Sequence, residues 1–151
     1  MRNLRLALYQ PEIAQNVGTM LRFCACFNVP VDVIEPTGFP WDDKRMRRAG
    51  MDYIDLVKIT KYTSFDSFLK EKQGRIILSD VKATKLHHEF KFEPGDICLM
   101  GRESCGVPDE LFDICEEKIK IPMVHKTRSL NVAVAAAIVV AEAIRQIGWD
   151  I

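Results

Sequence analysis

The sequence predicts an α/β domain, a largely parallel sheet with helices packed on its faces, and two observations predict it. Short apolar runs of strand length alternate with longer stretches in which apolar residues recur at helical spacing. The runs are also nearly continuous in their apolar character instead of alternating with polar residues. That is the pattern of strands buried on both faces, as parallel strands are.

Taken in order, residues 4–9 (LRLALY) make the first strand. Val17, Met20, Leu21, Cys24 and Phe27 then fall at helical spacing and give one apolar face. A second strand occupies Val31–Ile34, and a weaker one is predicted over 56–59. SFDSFLKEK (64–72) opens on Ser64, a helix-cap residue type, and carries Phe65, Phe68 and Leu69 on one side. Strands follow at 75–79 and Ile97–Met100. PDELFDI (108–114) places Pro108 where the first turn of a helix tolerates it. A last strand covers 118–121, and a last helix covers 129–147 with Gly148 as its stop. The longest irregular stretches are PTGFPWDDKRMRRAG (36–50) and HHEFKFEPGD (87–96). No repeat, low-complexity tract or linker interrupts the pattern, so residues 1–151 read as a single domain. At this length roughly 70% of the unfolded surface can be buried.

Composition narrows the function classes. The chain has 21 basic and 21 acidic residues among 151, so nucleic-acid binding has to come from a local patch and not from a global field. The most apolar run, 132–141, holds only Val, Ala and Ile but is far short of the roughly 20 residues that span a bilayer. The amino terminus MRNLRLALYQPE lacks the apolar core and cleavage site of a signal peptide, which gives the expectation of a cytoplasmic protein without membrane contact. The five cysteines form neither a CxxC pair nor a cluster with the three histidines; reduced thiols and no metal are expected.

Ligands of parallel sheets gather at the carboxyl ends of the strands, and three segments follow predicted strands there. In YQPEIAQNVGTMLR, Asn16 either caps the helix or faces a ligand, and Arg22 is either a surface cation or a fork of donors suited to phosphate. In DICLMGRESCGVP, Gly101 and Gly106 either permit a tight strand-to-helix turn or bend backbone amides around a ligand. The segment is neither a phosphate loop nor a dinucleotide GxGxxG. In IPMVHKTRSLNVAVAAAI, Ser129 and Asn131 stand where a helix begins, as plain caps or beside free amides that hold a polar ligand. Lys44, Arg45, Arg47 and Arg48 form a basic cluster, either a solvated turn or a contact for a phosphate backbone. His87, His88 and Lys91 could extend it.

In combination these segments resemble a known family. PEIAQNVGTMLRFC, LMGRESCGVP and IPMVHKTRSLNVAVAAAI are similar, in this order, to the three motifs of the SpoU branch of the SPOUT RNA methyltransferases. VIEPTGFPWDDKRMRRAGMDY resembles the smallest members, the TrmL group, which methylate the ribose of a tRNA wobble nucleotide. The resemblance runs from about Leu4 to Gly148. It implies a deep trefoil knot at the carboxyl end, a homodimer, tRNA as partner and S-adenosylmethionine as cofactor. By motif, the cofactor would meet backbone around Ser79, Gly101 and Ile121, with Gly106 in the same turn and Ser129 alongside. Leu99, Met100, Met123 and Leu130 would wall the adenine pocket. Asn16, Arg22, Glu103, Ser129 and Asn131 would form the catalytic set, with Glu103 bracing the loop or Arg22. Lys44, Arg45, Arg47, Arg48, Lys126 and Arg128 would contact RNA. The readings left standing beside tRNA methylation are methylation of ribosomal RNA by the same chemistry and a non-catalytic knotted RNA-binding protein. The chain departs from the family at two places. Ala14 stands where Pro is usual, and Val132 to Ala135 replace a common Leu-Ser-Asn-Ser, which removes polar groups near the site.

Overall fold

Seven parallel strands form one sheet in the order β3-β2-β1-β6-β4-β7-β5. A computed structural model shows this architecture and describes residues 3–48 and 52–150. The strands are β1 (Arg5–Tyr9), β2 (Val31–Ile34), β3 (Ile59–Tyr62), β4 (Ile76–Ser79), β5 (Lys85–Leu86), β6 (Ile97–Met100) and β7 (Glu117–Lys120). The helices are α1 (Ala14–Phe27), α2 (Asp43–Arg48), α3 (Phe65–Glu71), α4 (Asp109–Ile114) and α5 (Val132–Ile147).

The central strands are buried along their length, as their continuous apolar runs require. Side chains alternate across the sheet and feed two cores. Leu6, Leu8, Cys98 and Met100 point to the face covered by α1 and α5; Ala7, Tyr9, Ile97 and Leu99 point to the face covered by α3 and α4. On α1 the residues at helical spacing, Val17, Met20, Leu21 and Cys24, are the buried ones. The helix stops at Asn28, whose backbone turns left-handed. Burial pushes the Cys98 and Cys115 thiols up to about 12, and that of Cys24 higher still, consistent with inert core thiols.

The structure differs from the sequence-based expectation in four places. The third strand lies at 59–62 instead of 56–59, because Asp52–Leu56 winds into a 3-10 turn and only the edge residues after it pair with β2. Asp43–Arg48 is helical where a loop was expected. The Asp42 carboxylate accepts from the N–H groups of Lys44 and Arg45, and a single apolar residue, Met46, is buried. A six-residue helix with one anchor leaves no periodic signal. The two-residue β5 is likewise too short to read. Finally, α5 begins at Val132 instead of 129, with Asn131 as its cap, and one side of it is open. Val134 is 49% exposed, Ala141 is exposed, and Ala137 and Ile138 are half-buried, an apolar stripe along one side. No helix among the described residues is long and apolar enough to cross a membrane.

Candidate active site

Because β4, β6 and β7 run parallel and adjacent, their carboxyl ends emerge at one edge of the sheet. The loops that leave them enclose a cavity of about 720 Å³, within the range that takes a small organic ligand. The strand order reverses here, since β6 lies between β1 and β4, so the loops diverge and leave a crevice.

The loop after β6 is a tight hairpin. Arg102 and Gly106 exchange two backbone hydrogen bonds of 2.9 Å. A Cβ on Gly101 would come within 2.8 Å of the Gly106 backbone, and Gly106 itself has φ +67°. The contact requires glycine at 101, and the left-handed backbone favours it at 106. This hairpin is tied to the start of α1 by a reciprocal clasp. The N–H groups of Glu12 and Ile13 donate to the Glu103 carboxylate, at 3.1 and 2.7 Å. In return, the N–H and hydroxyl of Ser104 donate to the Glu12 carboxylate, at 2.8 and 3.0 Å. Those donors hold the Glu12 carboxyl below its usual range. Glu103 thus satisfies free amides at a helix amino terminus from another part of the chain.

The loop after β7 is joined to the same assembly. The Asn131 side-chain oxygen Oδ1 accepts from the Ala133 and Val134 N–H groups and caps α5, while its side-chain amide donates to Asn16 Oδ1 at 3.0 Å. The Asn16 amide donates in turn to Glu103, at 3.5 Å. Asn16 is therefore not the cap of α1: it lies inside the helix, whose first boundary residue is Ile13, and it links two loops. Asn16, Glu103 and Asn131 form one polar chain, and Ser129 lines the same cavity.

Of the residues expected at the cofactor, Ser79, Met100, Gly101, Gly106, Ile121, Met123, Ser129 and Leu130 all line the cavity. Leu99 does not. It is fully buried in the core on the other face of β6, because neighbours on a strand point to opposite sides. Arg22 is also absent from the cavity. It is exposed on α1 with its guanidinium 4.8 Å from the centre of the Tyr53 ring. Six residues beyond Asn16 it lies about 9 Å further along the helix and roughly 240° round it. Glu103 consequently braces the loop and not Arg22.

The basic residues divide into two groups. Arg128 lines the cavity, and Lys126 is exposed in the same loop. Lys44, Arg45 and Arg47 are exposed on α2, outside the cavity. Arg47 is held by two hydrogen bonds to Asp55 (2.9 and 2.6 Å), and Arg45 lies 3.9 Å from Asp42. The Arg48 side chain lies outside the described residues. His87 does not extend the patch: burial and the neighbouring His88 push its pKa down, towards the neutral form.

The sequence reading missed Asp80, Lys82, Arg102, Ser104 and Lys120, all of which line the cavity. Each ends a strand that was located or lies within four residues of the end of one, which was the available signal. Ala135 also lines the cavity, whereas Ala133 is buried. Of the family's replaced polar positions, 135 therefore faces the ligand space and 133 does not. No group of three or more metal-ligating side chains occurs among the described residues.

Comparison with known proteins agrees with this geometry. A family model described as the SpoU rRNA Methylase family matches residues 3–141. A tRNA (cytidine(34)-2′-O)-methyltransferase of Beijerinckia indica is 51% identical over 146 residues, covering 95% of this chain and 91% of that relative. A solved structure concerned with the 2-OH methylation of C/U34 on tRNA superposes with a TM-score of 0.88 at 38% identity, covering 95% of each chain. A SpoU methyltransferase from Streptomyces viridochromogenes in complex with AdoMet shares the fold, with a TM-score of 0.83 at 20% identity, over 97% of this chain and 61% of that one. With the family model spanning nearly the whole chain and the motif residues gathered around one cavity, the chain belongs to the SpoU methylase family.

Proposed function

We propose that the protein methylates the ribose 2′-hydroxyl of the wobble nucleotide of tRNA, with S-adenosylmethionine as methyl donor. The observation that carries the reading is the cavity at the ends of β4, β6 and β7, bordered by the linked Asn16, Glu103 and Asn131, in a chain so similar to a tRNA (cytidine(34)-2′-O)-methyltransferase.

The cavity suits the cofactor. Met100, Ile121, Met123 and Leu130 offer an apolar wall to an adenine ring, and Gly101 and Gly106 keep the hairpin backbone bare and close to it. When bound, S-adenosylmethionine supplies an electrophilic methyl group on a sulfonium. The chain has to align the ribose hydroxyl with that methyl group and ease loss of the hydroxyl proton. Ser129 and Asn131 orient the ribose, and the clasp through Glu103 keeps the hairpin in register. Arg22 is too weak an acid to serve as a base. It holds the phosphate beside the acceptor ribose and stabilises the negative charge that develops on oxygen, while the proton passes to water or phosphate.

Arg22 points away from its own cavity, so this role requires a second copy of the chain. We therefore read the protein as a homodimer in which Arg22 of one subunit serves the cavity of the other. The apolar stripe Val134, Ala137, Ile138 and Ala141 supports α5 as part of the interface. Lys126, Arg128 and the α2 cations are read as contacts to the tRNA backbone in the cytoplasm. The family resemblance also carries a trefoil knot, with the chain after β7 threaded past the loop after β6. That residues 101–106 and residues 121, 123 and 128–131 line one cavity supports it.

Incubating purified protein with total cellular RNA and radiolabelled S-adenosylmethionine, then mapping the labelled nucleotide, tests the reading. Label on the wobble ribose is expected. Label in ribosomal RNA only, or in no RNA, would overturn it.

A further inference from the structure

We propose that the Asp80 carboxylate accepts hydrogen bonds from the vicinal hydroxyls of the cofactor's ribose, an assignment that rests on the cofactor reading above. Asp80 is the first residue after β4 and lines the cavity. Its backbone is fixed to β7 by a hydrogen bond from its N–H to the Ile119 carbonyl, at 2.9 Å. One side-chain oxygen, Oδ1, accepts from the Lys82 N–H at 2.8 Å, which fixes the carboxylate's direction. Oδ2 accepts no hydrogen bond among the described residues. It stands against the bare backbone of Gly106, where an added Cβ would lie 3.4 Å away.

Glu103 is the other carboxylate lining the cavity, and both its oxygens are occupied by the Glu12 and Ile13 N–H groups. Asp80 Oδ2 is therefore the available acceptor with a full charge. An adenosyl amino acid offers it two kinds of donor, the neutral ribose diol and the cationic α-ammonium. Lys82, Arg102, Lys120 and Arg128 line the same cavity; the Lys82 ammonium lies 3.6 Å from Asp109, and the positive charge of the other three opposes a further cation there. A neutral diol meets no such opposition, and a carboxylate beyond a strand end is a common acceptor for ribose hydroxyls. The neighbouring apolar wall then takes the base.

Calorimetric titration of the full chain tests this with three ligands: S-adenosylhomocysteine, its analogue lacking both ribose hydroxyls, and 5′-methylthioadenosine, which keeps the diol but lacks the amino-acid end. Asp80→Ala should weaken S-adenosylhomocysteine about tenfold or more. The unsubstituted protein should lose a similar factor on the dideoxy analogue, and Asp80→Ala should bind both ligands alike. The same loss should appear with methylthioadenosine. A loss that persists on the dideoxy analogue and vanishes on methylthioadenosine would assign Asp80 to the ammonium and overturn the proposal. Asp80→Asn retains an oxygen for the Lys82 N–H and separates ligand loss from misfolding. Unchanged affinity in both variants would overturn the Asp80 role alone, and an unsubstituted protein that binds no S-adenosylhomocysteine would overturn the cofactor reading as well.

Discussion

The Arg22 guanidinium lies 4.8 Å from the centre of the Tyr53 ring, on a face of α1 that Asn16 does not share. A cation over an aromatic ring keeps its charge and a fixed place while its N–H groups remain free for phosphate. Arg22→Ala should abolish methyl transfer, with S-adenosylhomocysteine affinity unchanged by calorimetry; full activity in the labelled-methyl assay would remove the role. The cysteines give a second residue-scale prediction. Cys24, Cys98 and Cys115 are buried, and Cys26 and Cys105 are exposed. A thiol reagent should therefore titrate two groups in the native protein and all five after denaturation. Because Cys105 lines the cavity, S-adenosylhomocysteine should protect it and leave Cys26 reactive. At this scale the sequence singled out residues most of which line one cavity. It misjudged Leu99 because strand parity, not motif membership, decides which side a residue faces.

Among the elements, the hairpin after β6 and the start of α1 behave as one unit. Glu103→Ala removes the acceptor for two amides at the α1 terminus and should cost about 1 kcal/mol in denaturant unfolding. Gly101→Ala is the harsher change, since its Cβ would meet the Gly106 backbone at 2.8 Å. It should destabilise by about 2 kcal/mol or more and weaken cofactor binding by opening the hairpin. The end of α5 carries a pH-dependent contribution. Arg145, and then Gln146, donate to Glu142 and hold its carboxyl at about 2. A carboxyl depressed in the folded state stabilises fully above its ordinary range, and that contribution fades as pH falls towards 2. Glu142→Gln should make the unfolding midpoint less sensitive to pH over that window, measured against the unsubstituted protein. Strands with continuous apolar runs and helices with a clear face were legible because burial repeats with the period of the element. The helix α2 and the strand β5 were not, being held by one buried Met46 and by pairing to β7 respectively.

For the whole molecule, the proposed sharing of one site between two subunits is the feature to test. Co-expressing an Arg22→Ala chain with an Asn131→Ala chain gives mixed dimers in which one cavity has Asn131 from its own subunit and Arg22 from the other. If Arg22 acts across the interface, such mixtures should recover part of the activity that each variant lacks alone. If it serves its own cavity, they should recover none. Placing a charge on the exposed stripe, as in Ile138→Glu, should yield a monomer by sedimentation and lose methyl transfer with it.

By itself the sequence determined the alternation of buried strands with amphipathic helices, and the three motif segments that follow strand ends. Both are local patterns, set by burial period and by turn chemistry. Only the tertiary structure decided which of those segments meet. The parallel arrangement of β4, β6 and β7 brings residues 79–82, 101–106, 120, 121, 123 and 128–131 to one cavity, and it leaves Asp80 Oδ2 without a donor among the described residues while both Glu103 oxygens serve the start of α1. It also turns Arg22 away from the cavity beside which its own motif begins. Those outcomes depend on strand order and helix phase between residues up to 115 positions apart, as in the Asn16–Asn131 bond, and no local pattern carries that information.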